Sequence, residues 1–248
     1  MSMDFAAVDI GNTSVKVKIL SDGRIRESQT FDSLDAAALC LKEDGCGKVA
    51  FSTTRQLSPE EMLVAEGEGW WEFHPGVKLP VKVCYKTPEK LGPDRLAGAL
   101  GASVRFKGEN VLVADIGTAL TTDLVGSEGE FLGGNISPGI KMRFDALNEY
   151  TSRLPLVEWK DDDGRLWGDS TESAIFNGVR WGMVNEIAGA FRLARMEKGN
   201  LRLVVTGGGA RFLLEDLRKV LPEEDHPVCE PDLVAYGLME AYNYNHDK

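Results

Sequence analysis

Ala7-Val8-Asp9-Ile10-Gly11-Asn12-Thr13-Ser14-Val15-Lys16 is the stretch whose reading decides the fold. An apolar strand runs into an acidic residue, a glycine-led turn, a pair of small hydrogen-bonding residues and a second strand that carries a lysine. Glycine lacks a Cβ, so it accepts tight turn geometry and lets a bulky anion approach the backbone. Asn12 and Thr13 add side-chain donors and Lys16 a positive charge, which together make a phosphate cradle. The same residues also suit an ordinary hairpin with a Gly-Asn turn. On this stretch alone both readings stand.

A second copy separates them. Val-Asp-Ile-Gly at 8–11 returns as Ala-Asp-Ile-Gly at 114–117, and Ser21-Asp22-Gly23 returns as Ser127-Glu128-Gly129 at the same offset along the chain. A gapless recurrence through strand, turn, strand and next turn implies two copies of one supersecondary unit. A single long-period duplication points to two similar domains, placed at 1–105 and 106–248.

The chain has 248 residues, enough for two cores of ordinary size. Against 28 Lys and Arg stand 39 Asp and Glu, a net charge of −11, which offers nucleic acid no electrostatic attraction. Nothing resembles a secretion signal or an apolar run long enough to cross a bilayer, so a cytoplasmic protein is expected. Cys40, Cys46, Cys84 and Cys229 lack disulfide-framework or metal-ligand spacing and read as reduced thiols. The three histidines leave little material for a zinc site or a Ser-His-Asp triad.

Along the chain, Val15, Val17 and Ile19 alternate with polar residues as a half-buried strand does. Ser33 caps a helix that ends at Gly45, and Ser58-Pro59-Glu60-Glu61 starts another. Thr53, Thr54 and Arg55, after the strand 48–52, read as a polar loop in preference to a pocket lining. Trp70 and Trp71 are expected in a core or an interface, and Val81 to Tyr85 as a strand. Pro93 opens a helix that Ala97, Gly98, Ala99, Gly101 and Ala102 keep thin, suited to close packing where the two halves meet. Gly133 to Gly139 reads as a glycine-rich turn before a helix over 140–147. Asp161-Asp162-Asp163 reads as a solvated loop, and Ser170 with its neighbours caps a long helix to about Glu197. A buried-type strand feeds Gly207-Gly208-Gly209. A last helix covers 233–244, and the tail with His246 is expected to be disordered.

The chain contains neither GxxxxGK[ST] nor GxGxxG. Two facing hairpins plus a glycine turn resemble the superfamily of sugar kinases, heat-shock ATPases and actin. More narrowly, Asp9-x-Gly11-Asn12-Thr13, Gly92-Pro93-Asp94-Arg95, Asp115-x-Gly117-Thr118, Gly133-Gly134-x-Ile136-x-Pro138-Gly139 and Gly207-Gly208 have the order and approximate spacing of type III pantothenate kinase. The resemblance covers nearly the whole chain. It implies an α/β protein of two similar ribonuclease H-like domains, the actin-like ATPase fold, with a nucleotide and substrate cleft between them.

It further implies ATP-dependent phosphorylation of pantothenate, the first step of coenzyme A biosynthesis. Phosphoryl transfer needs an oriented hydroxyl, an acceptor for its proton and positive charge over the moving phosphate. The matching aspartate of the family is the proton acceptor, here Asp94; the plainer reading is an acid complementing a helix dipole. By resemblance Gly92, Pro93 and Arg95, with Tyr85 and Thr171, contact pantothenate, Thr171 from the other subunit of a homodimer. Tyr85 otherwise reads as a core aromatic and Thr171 as a helix cap. The stretch Asp9, Ile10, Gly11, Asn12, Thr13, Ser14, Val15 and Lys16, with Thr118, holds ATP, and Asp9 holds Mg²⁺ through water. Asp115 matches a ligand for a monovalent cation, K⁺ or NH₄⁺, and on its chemistry alone equally suits a second magnesium. Two rivals are a non-catalytic ATP-binding transcription accessory protein and a kinase for another small hydroxy acid or sugar.

Overall fold

The computed structural model describes residues 4–12, 14–160 and 165–246. Thr13 and Asp161 to Asp163 therefore lie outside the described residues. The chain forms two units, one of Met1–Gly108, Val125–Leu132 and Asp232–Lys248, the other of Glu109–Leu124 and Gly133–Pro231.

The first unit is built on β1 (Phe5–Ile10), β2 (Val15–Ser21), β3 (Arg24–Phe31), β4 (Lys48–Thr53) and β5 (Trp71–Glu72), in the order β3-β2-β1-β4-β5. β1 runs antiparallel to β2 and parallel to β4. Strand alternation sends Ala6, Val8, Ile10, Val15, Val17, Ile19, Val49 and Phe51 to one core, beneath α1 (Leu34–Asp44) and α2 (Pro59–Gly67). The opposite face carries Ala7, Asp9, Lys16, Lys18, Ala50 and Ser52. It packs against α3 (Pro93–Arg105) and the last helix of the chain, α7 (Leu233–His246). Three helix ends form as their residues dictate. Ser33 caps α1, Gly45 takes the left-handed C-cap conformation, and Ser58 with Glu61 makes a reciprocal capping box on α2.

The thin helix α3 packs on α7, a member of its own unit. A Cβ at Gly101 would strike the Leu233 carbonyl, and one at Gly237 the Ala97 carbonyl. Arg105 closes the pair by lying over the Tyr236 ring, 4.9 Å from its centroid.

The second unit repeats the plan. Its strands are β6 (Val111–Ile116), β7 (Ala119–Val125), β8 (Phe131–Pro138), β9 (Arg202–Thr206) and β10 (Val228–Cys229). Read from β8, the order β8-β7-β6-β9-β10 matches the first sheet strand for strand. The duplication expected from sequence is thus a duplication of topology. Here α4 (Ile140–Glu149), α5 (Thr171–Lys198) and α6 (Ala210–Val220) supply the helices. Ser170 caps α5, and Ile175, Val179, Met183, Ile187 and Phe191 bury one stripe of it.

Four local expectations are corrected. Gly133 to Pro138 is the later part of β8, because edge-ladder pairing prevails over the low strand propensity of its glycines. Val81 to Tyr85 makes only an isolated bridge, Val83 to Phe131, with Cys84 N–H donating to the Phe131 carbonyl at 2.8 Å. His246 is ordered in α7, stacked on Tyr242 at 4.1 Å between centroids with its edge to Trp71. Thr53 and Arg55 do line a cavity of about 380 Å³, with Phe51, Met62, Trp70 and Glu72 among its walls.

Candidate active site

In the first unit, the β1–β2 turn is closed by Gly11 N–H donating to the Ser14 carbonyl at 3.0 Å. Asn12 is exposed at its tip, as is Lys16 at the start of β2. Lys16 stands opposite Asp9 in the β1–β2 register, and Ser52 stands beside Asp9 in the β1–β4 register. Lys18, one alternation further along β2, is ion-paired with Asp232 just before α7. Asp9, Lys16 and Ser52 therefore share the face that α3 approaches.

Asp94 is the second residue of α3, half-buried, and its Oδ1 accepts the Arg95 backbone N–H at 2.8 Å. Its carboxylate folds back over Gly92, where a Cβ would come within 2.6 Å of that oxygen. Burial pushes the Asp9 carboxyl up. Lys16 draws it down, the negative charge of Asp94 pushes it up again and Lys18 draws it down, with a net rise. Asp9 thus feels the charge of Asp94. Arg95 is 8% exposed and lies over the Phe131 ring at 5.7 Å. Tyr85 meets the same ring edge-on at 5.8 Å. So Asp9, Lys16 and Asp94 form one group, and Arg95 with Tyr85 a second around Phe131.

The second unit holds the matching acid, Asp115, in register with Thr206. Gly117 N–H donates to Ala119 at 2.9 Å, one residue tighter than the turn of the first unit. Gly139 N–H donates to the Thr118 carbonyl at 3.1 Å, and Gly209 N–H to the Ile116 carbonyl at 2.8 Å. Gly207 adopts φ +83°, and a Cβ there would strike Asp115 Oδ1. Three glycines therefore let backbone close in on the end of β6. Thr118 is exposed beside it, and Thr171 is exposed at the first position of α5.

Two residues join the first group: Ser52, which sequence reasoning passed over, and Arg55, which it set in a polar loop. Ser52 is fully buried, and its Oγ lacks a hydrogen-bond partner. A hydroxyl orphaned beside the Asp9 carboxylate is a polar atom that the protein itself leaves unsatisfied. That suits a hydrated divalent cation, since Mg²⁺ keeps most of its waters and takes one or two carboxylates. Among the described residues no group of three acidic, histidine or cysteine side chains forms a closed metal cage. The available signal was that an apolar strand ends on a hydroxyl in both halves, Phe51-Ser52 and Val205-Thr206. Arg55 donates from Nε to the Gly11 carbonyl at 3.1 Å.

Comparison with known proteins identifies the family and the fold. The family model described as type III pantothenate kinase matches residues 5–193. A type III pantothenate kinase from Cytophaga hutchinsonii is 32% identical over 238 residues, covering 96% of this chain and 98% of its own. Among solved structures, a conserved Campylobacter jejuni protein described as a candidate Baf family transcriptional activator superposes with TM-score 0.63 at 21% identity, covering 98% of this chain and 100% of that one. A ROK family glucokinase from Streptomyces griseus, in complex with glucose and AMPPNP, gives 0.54 at 14% identity, with 97% and 98% covered. At such identities these two likenesses speak to fold alone. With the repeated sheet order they identify an α/β protein of two ribonuclease H-like units, the actin-like ATPase fold.

Proposed function

Because the chain belongs to the type III pantothenate kinase family, we propose that its two acid-bearing hairpins and Asp94 divide the work of moving the γ-phosphate of ATP to the primary hydroxyl of pantothenate. The protein is a phosphotransferase that makes 4'-phosphopantothenate, the first step toward coenzyme A. The observation that carries the assignment of roles is the placement of Asp94 at the head of α3, near enough to Asp9 for its charge to be felt there.

Asp94 accepts the proton of the attacking hydroxyl. The Arg95 N–H, at the head of α3, holds the carboxylate aimed. Arg95 and Tyr85, gathered around Phe131, bind the pantothenate body and its carboxylate, and Gly92 and Pro93 shape the floor. The turn from Asp9 to Lys16 takes the phosphates of ATP. Ile10, Gly11, Ser14 and Val15 contribute backbone, Asn12 and Thr13 side-chain donors, and Lys16 charge; Thr118 lies beside the nucleotide. Asp9, with Ser52, would hold hydrated Mg²⁺, which would neutralise charge on the phosphates. Asp115 would hold K⁺ or NH₄⁺.

A homodimer is part of the proposal, with Thr171 reaching the substrate site of the partner subunit. In support, Trp167 is 81% exposed just ahead of Thr171, and Leu166 beside it is also exposed, an apolar surface of the kind subunits cover. No helix among the described residues is long and apolar enough to cross a membrane, and we place the enzyme in the cytoplasm, where ATP is made.

Coupled ATP turnover against a panel of acceptors tests the proposal. Pantothenate should support turnover, and sugars and other small hydroxy acids should not. Turnover with a sugar and none with pantothenate would overturn it.

A further inference from the structure

Arg55 is engaged on three sides. Its Nη1 and Nη2 donate to the two carboxylate oxygens of Glu61 at 2.8 and 2.5 Å, while Nε donates to the Gly11 carbonyl at 3.1 Å. Behind it the backbone is pinned, since Thr53 Oγ1 donates to the Arg55 carbonyl at 2.7 Å. Glu61 is pinned in turn by the capping box of α2, accepting from Ser58 N–H at 2.9 Å. Arg55 and the Ser58 N–H hold the Glu61 carboxyl down at about 2, so the pair stays ionised throughout the working range of pH.

The far end of this clamp matters because of peptide planarity. The Gly11 carbonyl and the Asn12 N–H belong to one trans peptide and point in opposite directions. A glycine next to a loop tip offers little resistance to a flip of that plane. The Gly11 N–H is already committed to Ser14. Drawing the Gly11 carbonyl toward Arg55 therefore fixes which way the Asn12 N–H faces.

We propose that Arg55 is a positioning residue for nucleotide binding: it locks the Gly11–Asn12 peptide so that the Asn12 N–H is presented to a phosphate oxygen of ATP. This rests on the reading of the Asp9–Lys16 turn as the ATP site. The bidentate fork explains the residue type, since a lysine ammonium cannot span both Glu61 oxygens and also reach the carbonyl.

The test compares Arg55→Lys, Arg55→Ala, Glu61→Gln and Lys16→Ala for Tm, for KM of ATP and of pantothenate, and for direct binding of a non-hydrolysable ATP analogue by calorimetry. Both Arg55 variants should weaken analogue binding and raise KM for ATP by about tenfold, the scale of one charged hydrogen bond, with KM for pantothenate within about twofold. Glu61→Gln keeps the capping residue type and should give a smaller change in the same direction. Unchanged analogue binding in both Arg55 variants, with only Tm or active fraction lowered, would show a merely structural role and overturn the proposal. If Lys16→Ala also leaves analogue binding unchanged, the turn is not the ATP site, and both readings fall.

Discussion

Asp9 is held where a carboxylate is costly to charge, and the net effect of burial, two lysines and Asp94 leaves its carboxyl above the ordinary range. A raised folded-state value means that the folded protein binds the proton more tightly than the unfolded chain does. Its contribution to stability is then fully present below the unfolded value of 3.8 and is lost as pH rises through the folded one. Once ionised, Asp9 therefore costs stability, a cost the proposed site would offset by binding a cation. Asp9→Asn should raise Tm at pH 7.5 while removing turnover, and the gain in Tm should vanish toward pH 3 in scanning calorimetry. A lower Tm for the variant at pH 7.5 would mean that pairing with Lys16 and Lys18 outweighs burial. Asp9 was legible because its turn chemistry is local and appears twice. Ser52 and Arg55 were not, because Ser52 acquires meaning only from the β1–β4 register and Arg55 only from reaching back to Gly11.

At the scale of elements, the closest packing in the first unit is the crossing of α3 and α7, where Gly101 and Gly237 admit opposing backbone carbonyls. No side-chain rotation relieves a Cβ against a carbonyl, so the helices must separate. Gly101→Ala should cost at least about 1–3 kcal/mol, the range for overpacked cores, read as a lowered urea midpoint at unchanged slope. Wild-type stability would show that the helices can slide apart without loss. The thinness of α3 was plain from five small residues, and Ser33, Ser58 and Ser170 announced their helices, because caps are local chemistry. The partner of α3 was not legible, since it lies at the far end of the chain. The extent of β8 and the order of His246 escaped for the same reason, as ladder pairing and stacking on Trp71 are long-range.

Across the whole molecule, the repeat has kept its strand order while its two sites have diverged. Asp9 and Asp115 occupy the same position in strands of identical burial pattern. At the gapless sequence offset Lys16 is replaced by Thr122, and the second turn is tighter by a residue. Losing the lysine suits Asp115 to a cation in place of a phosphate. Activity should rise with K⁺ or NH₄⁺ over Na⁺ at constant ionic strength, and Asp115→Asn should abolish the difference. Equal rates of the wild-type enzyme in sodium and potassium buffers would contradict that role.

The central claim is that the acceptor hydroxyl is deprotonated by Asp94 in the first unit. Its most direct test is the rate of 4'-phosphopantothenate formation by Asp94→Asn, followed by mass spectrometry beside Tm and ATP-analogue affinity. The account predicts a fall of about 10²–10⁴-fold with fold and nucleotide binding retained. Product formation at the wild-type rate would contradict it.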